Sequence, residues 1–289
     1  VYKKRVLLTE HGIYTREREE EIIRAKWVQP AFKKQWIAFF YMLSDIIYKR
    51  AFLVSCLFTN AMHTQVQMGC DKDKCRVIEN GINYDRLSSI PLKEDDGWVD
   101  IGAIVRMAPI KDIKTMIYAF YELSTRRENV RLHIMGGVDD EAYAKECYDL
   151  VEQLHLENVI FTGRVDIVTY MEKLDFTILT SISEGQPLSV LESFAARRPC
   201  VTTDVGCCRE LLAGNEEDSF GIAGYCVPPM YREGLAQAMD RMCESRSRRL
   251  RMGENAQKRV EAYYRKEGMV EKYRKLYQEV EEADGRNRI

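Results

Sequence analysis

From residue 98 onward, short runs of β-forming residues alternate with segments of helical periodicity. Six runs predict strands, over residues 100–105, 131–135, 159–162, 177–181, 200–203 and 224–227. The segments between them carry apolar residues three and four positions apart, as at Ile113, Met116, Ile117 and Phe120. Strands that alternate with helices predict βαβ units around a parallel sheet. Six such strands predict one complete Rossmann-like domain.

The first 90 residues carry a shorter version of this alternation. Strands are predicted over 5–9, 52–58 and 75–78, and helices over 15–27, over 30–49 and from residue 60. Residues 88–97 are rich in charge and chain-breaking residues and predict a linker. We therefore predict an α/β protein with a partial Rossmann-like domain at 1–90, a complete one at 91–262, and a carboxyl-terminal helix at 263–289 that packs back on the first domain.

Composition narrows the class of protein further. Hydrophobic residues make up 46% of the chain and charged residues 30%, which excludes a collagenous, low-complexity or mostly disordered protein. The formal net charge of -2 is too small to indicate nucleic acid as a partner. Any site for an anion must therefore be local.

The longest apolar run, residues 36–43, is well short of the roughly 18 residues that a membrane-spanning helix needs. Its flanking cations, Lys33, Lys34, Lys49 and Arg50, would also suit a helix on a membrane surface. We favour a helix buried against the sheet.

Nine cysteines are scattered along the chain without a C-x2-C pair. Cys70 and Cys75 lie five residues apart, but no histidine follows at the spacing of zinc ligands. The pattern predicts core thiols in a reducing, cytosolic compartment.

The segment 183–192, SEGQPLSVLE, is the first candidate for a binding site. A strand, a turn at Gly185 and a helix with proline near its start would aim several backbone N–H groups at one point, which favours a phosphate. Glu184 and Glu192 would then reach different parts of one ligand. Two alternatives stay open: Glu184 as an exposed loop charge, and Glu192 as the partner of Ser189 in a capping box.

Two further candidates follow predicted strands. Arg106 and Lys111 come after the first strand of the complete domain, where open α/β sheets bind ligands, and two cations suit a diphosphate. A solvated pair of loop charges would give the same spacing. His11 follows the first strand of the chain and could contact a sugar, although an isolated histidine is also consistent with a structural imidazole.

Taken together, these motifs resemble the retaining nucleotide-sugar glycosyltransferases of family 4, which have the GT-B architecture of two facing Rossmann domains. Four segments carry the resemblance in order: VIENGIN at 77–83, R-x4-K at 106–111, E-x7-E at 184–192, and the glycine turn and acid at 205–210. The segment TEHGIYTRERE at 9–19 resembles the subfamily of the Pel exopolysaccharide glycosyltransferase.

The resemblance implies a role for each candidate residue. Arg106 and Lys111 would bind the donor diphosphate, Glu192 the ribose hydroxyls and Glu184 the hydroxyls of the transferred sugar. The remaining substrate contacts would come from Gly185 and the amides of Leu188 and Ser189 at the phosphate, from Gly163, Arg164 and Val165 at the base, and from His11, which would face the sugar from the opposite domain.

The implied reaction is transfer of a sugar, with retention, from a nucleoside-diphosphate sugar to a growing exopolysaccharide, and the resemblance favours uridine as the base. No Asp-x-Asp motif accompanies the site, so no divalent metal or other cofactor is expected. We expect a cytoplasmic protein that reaches the inner face of the membrane through partners such as a membrane-embedded synthase or export complex.

The sequence departs from the family at its front, because no opening strand or glycine-rich acceptor loop precedes Val1. We therefore expect this chain to be the carboxyl-terminal portion of a longer enzyme and to transfer sugar poorly by itself. The alternative is a nucleotide-sugar-binding or assembly module of an export complex. A nicotinamide-dependent dehydrogenase is disfavoured, since no G-x-G-x-x-G follows a predicted strand.

Overall fold

A computed structural model of the chain describes residues 5–12, 18–19, 22–23, 28–214 and 218–285. The chain forms two compact units, one made of Val1–Gly81 with Glu267–Ile289 and the other of Ile82–Lys266. The domain boundaries were predicted after residues 90 and 262, and the units meet after residues 81 and 266. Within the described part of the chain, no helix is both long and apolar enough to cross a bilayer.

The first unit contains a three-stranded parallel sheet in the order β1-β2-β3. Its strands are β1 (Leu7–Thr9), β2 (Leu53–Cys56) and β3 (Cys75–Val77). A 3-10 turn at Pro30–Phe32 leads into helix α1 (Lys33–Arg50), and helix α2 (Thr59–Gln67) joins the last two strands. The helix at the end of the chain packs on this sheet, because Leu276 forms one buried cluster with Leu53 and Ile78.

Helix α1 corrects one expectation from the sequence. We predicted that its apolar run is buried against the sheet, but Tyr48 is its one buried side chain. Trp36 is 45% exposed and Met42 is 51% exposed. Apolar residues occupy all sides of this helix, and the strands of the first unit cover the side that carries Tyr48, whose hydroxyl donates to Glu10 Oε2 at 2.9 Å.

The second unit contains a six-stranded parallel sheet in the order β6-β5-β4-β7-β8-β9. Its strands are β4 (Val99–Ile104), β5 (Val130–Met135), β6 (Val159–Gly163), β7 (Phe176–Leu179), β8 (Cys200–Thr203) and β9 (Gly224–Val227). Its helices are α3 (Tyr84–Ser88), α4 (Ile113–Ser124), α5 (Glu141–Gln153), α6 (Ile167–Met171), α7 (Leu188–Ala195), α8 (Cys208–Ala213), α9 (Arg232–Cys243) and α10 (Arg246–Tyr263). The terminal helix α11 spans Lys266–Gly285.

The strands of the second unit follow the sequence pattern closely. The observed bounds equal the predicted ones for β8 and β9. They differ from the predicted bounds by one residue at one or both ends for β4, β5 and β6. β7 is shorter than predicted and ends at Leu179. The strands of the first unit are also shorter than predicted, and the predicted helix at 15–27 falls mostly outside the described residues.

The buried face of α4 is the one that its periodicity predicts. Ile113, Met116, Ile117, Phe120 and Leu123 are all fully buried. All nine cysteines are free thiols and eight of them are buried, which confirms the predicted core thiols. The stripes of apolar residues therefore build the core and contribute no ligand groups.

A buried polar network lies at the amino end of the six-stranded sheet. Asp100, 2% exposed, accepts from Arg131 Nε at 2.6 Å, lies 2.8 Å from His133 Nε2, and pairs with Lys93 Nζ at 2.8 Å. Burial by itself raises the pKa of the Asp100 carboxyl, but the hydrogen bonds from His133, Arg131 and Lys93 outweigh burial and hold this pKa well below its ordinary value. The carboxylate therefore contributes stability above the pKa of the unfolded chain, and this contribution is lost as the pH falls toward the folded pKa.

We expect Asp100→Asn to lower the free energy of unfolding by about 3 kcal/mol at neutral pH, because it leaves buried cations without their carboxylate. Urea unfolding of both proteins between neutral pH and about pH 3 tests this, since the wild-type advantage should shrink below about pH 4. A difference that does not change with pH would contradict an electrostatic role for Asp100.

Candidate functional site

The strand order of the second unit creates a natural site for a ligand. The chain moves outward from β4 through β5 to β6, and then returns to the other side of β4 with β7, β8 and β9. β4 and β7 are adjacent parallel strands, with Ile101 opposite Phe176. Open α/β sheets bind ligands beyond the carboxyl ends of the two strands at such a switch point.

An ion pair joins the two loops that leave this point. Lys111 Nζ lies 2.5 Å from Glu184 Oε1, and both side chains are largely buried. Ser181 Oγ donates to the same carboxylate oxygen at 2.6 Å. The structure thus brings together Lys111 and Glu184, which the sequence placed in two separate motifs, and it removes the alternative that Glu184 is an exposed loop charge.

Buried hydroxyl groups fix the backbone on both sides of this pair. Thr180 Oγ1 donates toward the carbonyls of Lys111 at 2.8 Å and Asp112 at 3.1 Å, so it ties the loop after β4 to the end of β7. Thr203 Oγ1 donates to the Ser181 carbonyl at 2.6 Å and ties the end of β7 to β8. Thr180, Ser181 and Thr203 are fully buried.

Sequence reasoning missed these hydroxyl residues and assigned 180 and 181 to the strand. The sequence does contain a clue to these residues, because threonine and serine cluster at the ends of the predicted strands. Such residues bond to backbone groups more readily than apolar ones do.

The start of α7 lies directly beyond Glu184. Pro187 occupies the position before the helix, and its carbonyl accepts from Val190 N at 3.2 Å. The amides of Leu188 and Ser189 precede the first intrahelical bond, as at every helix start, and are available to an anion. The residue that precedes the helix is Pro187, and Ser189 is the second helical residue, so Ser189 is not the N-cap and the capping-box interpretation of Glu192 is wrong.

Glu192 lies in the second turn of α7 and is partly buried. Burial raises the pKa of its carboxyl above the ordinary value, and the nearby Arg86 opposes that rise. Arg86 belongs to α3 and also pairs with Asp166 at 3.1 Å. Nothing in the sequence pattern selected Arg86, because α3 lies within the segment predicted to end the first domain.

The other predicted residues lie around the same edge of the sheet. Arg106 follows β4 and pairs with Asp139, and its side chain is 65% exposed. Gly163 ends β6 with a φ of 65° and its carbonyl accepts from Gly136 N at 2.9 Å. Arg164 follows and packs against Gly137.

Val165 immediately precedes Asp166, which caps the start of α6. His11 is exposed beyond the carboxyl end of β1 in the first unit. The binding of a base by Gly163, Arg164 and Val165, and of a sugar by His11, stays a prediction of the resemblance.

The turn that carries Glu184 is held by a second glycine. Cys207 N donates to the Gly185 carbonyl at 3.0 Å. Gly206 has a φ of 56°, and a Cβ at this position would collide with the carbonyls of Gly185 and Glu184. Residue 206 must therefore be glycine for the turn at 184–185 to sit where it does.

Comparison with known proteins identifies the family. The sequence model of the glycosyl transferases group 1 matches residues 91–259, which is more than half of the chain. The chain belongs to this family. Residues 1–73 match a second family, described as a domain of unknown function (DUF3492).

Two relatives match large parts of this chain. The N-acetyl-alpha-D-glucosaminyl L-malate synthase of Bacillus anthracis is 27% identical over 62% of this chain and 45% of its own length. The N,N'-diacetylbacillosaminyl-diphospho-undecaprenol alpha-1,3-N-acetylgalactosaminyltransferase of Campylobacter jejuni is 26% identical over 88% of this chain and 68% of its own length. The chain thus spans less than half of the Bacillus relative.

The fold agrees with this assignment. The crystal structure of Anabaena HepE in complex with UDP and glucose matches 96% of this chain and 72% of its own chain, with a TM-score of 0.74 at 18% identity. This glycosyltransferase group 1 chain therefore has the GT-B fold, with parallel sheets in two Rossmann-like units, as the sequence predicted.

We expect Gly206→Ala to displace the turn at 184–185 and to cost more stability than Gly97→Ala. Both positions have positive φ, so each alanine pays about 1 to 2 kcal/mol for the left-handed backbone. A Cβ at Gly97 meets no atom within 4 Å, whereas a Cβ at Gly206 meets two carbonyls, which adds about 1 to 3 kcal/mol. Thermal unfolding of the two variants measures the difference, and equal losses would contradict the close approach at Gly206.

Proposed function

We propose that this glycosyltransferase transfers a sugar, with retention at the anomeric carbon, from a UDP-sugar to a growing exopolysaccharide. The single observation that carries the proposal is the Lys111–Glu184 pair at the sheet's switch point, next to the free amides of α7. Support for the donor comes from the family and from HepE, whose crystal contains UDP and glucose.

Donor binding begins with an exchange of partners at Lys111. A diphosphate oxygen replaces Glu184 as the partner of the Lys111 ammonium, and the amides of Leu188 and Ser189 bind further phosphate oxygens. Arg106, exposed and paired with Asp139, turns toward the second phosphate. Glu184 then accepts hydrogen bonds from the hydroxyls of the transferred sugar, while Ser181 keeps its carboxylate in place.

The same groups promote the reaction. The barrier lies in the departure of UDP, whose negative charge grows as the glycosidic bond breaks. Preorganised donors aimed at that charge lower the barrier, and losing one such donor typically costs about 2.7 to 4 kcal/mol. In this proposal the cations and the helix start perform the charge stabilisation, so no divalent metal is required.

Two regions of the second unit recognise the nucleoside. Glu192 accepts hydrogen bonds from the ribose hydroxyls in its carboxylate form; burial raises the pKa of this carboxyl, and the nearby Arg86 opposes that rise. The loop at Gly163, Arg164 and Val165 lines the base. Uridine is the base that the resemblance and the UDP in HepE support.

The acceptor and the partners follow from the Pel-like segment at 9–19. We propose a polysaccharide acceptor, and a membrane-embedded synthase or export complex at the inner face of the membrane that receives the product. Binding of UDP without any release of sugar from UDP-sugars would instead favour a nucleotide-sugar-binding or assembly module.

We expect Lys111→Ala to weaken UDP binding about ten- to a hundred-fold while the fold stays intact, because it removes a charge-assisted bond to phosphate. Isothermal titration calorimetry measures the affinity. Lys114→Ala is the matched control, since Lys114 lies three residues away and pairs with Glu146 on the surface. Equal UDP affinity in wild type and Lys111→Ala would refute the site.

We expect the affinity for UDP to fall as the pH drops toward the raised pKa of Glu192, above the ordinary carboxyl value of 4.5. Protonation replaces a lone-pair acceptor with a donor, so the ribose hydroxyls lose a partner. In Glu192→Gln the affinity should be lower at neutral pH and should lack this step. Calorimetry on both proteins across this pH range provides the test, and superimposable profiles would exclude Glu192 from ribose binding.

A further inference from the structure

The two cations proposed to hold the donor diphosphate each have a carboxylate partner in this structure. Lys111 pairs with Glu184, and both side chains are largely buried. Arg106 pairs with Asp139 near the surface, where the two side chains are 65% and 31% exposed. Sequence reasoning did not select Asp139, and the proposed function gives its carboxylate no role.

Backbone hydrogen bonds hold Asp139 beside Arg106. Asp139 lies in the loop 136–140 between β5 and α5, and this loop bonds to the residue that follows Arg106. Met107 N donates to the Gly137 carbonyl at 2.9 Å, and the Met107 carbonyl accepts from Asp139 N at 3.2 Å. The fold therefore places the Asp139 carboxylate within reach of the Arg106 guanidinium.

The contact between these two side chains can break without disturbing the backbone. Within the part of the chain that the structure describes, Arg106 is the one hydrogen-bond partner of the Asp139 carboxylate, and Asp139 is the one partner of the Arg106 guanidinium. The start of α5 is capped by the next residue, Asp140, which accepts from Tyr143 N at 3.0 Å. Asp139 is thus left with no structural bond except the one to Arg106.

A carboxylate and a phosphate need the same donors. An ionised carboxylate accepts hydrogen bonds and donates none, so it cannot bond to a phosphate oxygen that carries no proton. The two like charges also repel each other. A phosphate that binds the forked N–H groups of Arg106 takes the end of the guanidinium that Asp139 occupies, and it therefore displaces the carboxylate.

We propose that Asp139 sets the affinity of the donor site for diphosphates by competing with the second phosphate for Arg106. This inference rests on the proposed function, in which Arg106 turns toward that phosphate. Binding of a diphosphate exchanges Asp139 for phosphate oxygens, and departure of UDP restores the ion pair. The carboxylate therefore weakens the binding of UDP and speeds its release, but it has no such effect on a nucleotide with a single phosphate.

Asp139→Asn tests the competition, because asparagine removes the charge and keeps the shape of the side chain. Calorimetry at constant ionic strength should show an affinity for UDP about two- to five-fold higher than in wild type, the range that corresponds to an exposed ion pair. The affinity for UMP should not change. Asp149→Asn is the matched control and should leave UDP binding unchanged, since it removes the same charge from an exposed pair with Lys145 on α5.

A double-mutant cycle shows whether the effect passes through Arg106. In the background of Arg106→Ala, Asp139→Asn should leave the affinity for UDP unchanged. A gain of equal size with and without Arg106 would indicate general charge repulsion and overturn the proposal. A lower UDP affinity in Asp139→Asn would also overturn it, because the carboxylate would then hold Arg106 in place for the phosphate, and so would an unchanged affinity.

Lys111→Ala separates this inference from the proposed function. If Lys111→Ala weakens UDP binding while Asp139→Asn leaves it unchanged, the donor site stands and the competition by Asp139 is refuted. If neither Lys111→Ala nor Arg106→Ala weakens UDP binding, the proposed donor site itself is wrong.

Discussion

The candidate site depends on the parallel pairing of β4 with β7. These strands lie far apart in the sequence, yet their pairing places the loop with Lys111 beside the loop with Glu184. The buried hydroxyl of Thr180 then locks one loop to the other through the carbonyls of Lys111 and Asp112. Without this pairing, the lysine and the glutamate would be two unrelated surface charges.

The two ends of the six-stranded sheet have different roles. At the amino end, Asp100 gathers Lys93, Arg131 and His133 into a buried network whose partners are protein groups. At the carboxyl end, the Lys111–Glu184 pair and the start of α7 present groups that can exchange a protein partner for a ligand. α7 begins beside the candidate donor site and ends at Ala195.

The periodicity of the sequence was sufficient to predict the sheet of the second unit, since its strands and the face of α4 are fixed by local apolar spacing. It could not predict the burial of α1, because an apolar run does not reveal how much surface its neighbours can cover. Motif spacing selected Lys111, Glu184 and Glu192. Motif spacing did not select Arg86 or Thr180, because their roles depend on contacts with residues that are distant in the chain, and Ser181 was assigned to the preceding strand.

The central claim is that Lys111 and the start of α7 hold the diphosphate of a nucleotide sugar at the β4–β7 switch point. A crystal structure of the chain with UDP tests it most directly. The account requires a phosphate oxygen about 3 Å from Lys111 Nζ, with a second one at the amides of Leu188 and Ser189. UDP bound elsewhere, or bound while Lys111 remains on Glu184 and away from both phosphates, would contradict it.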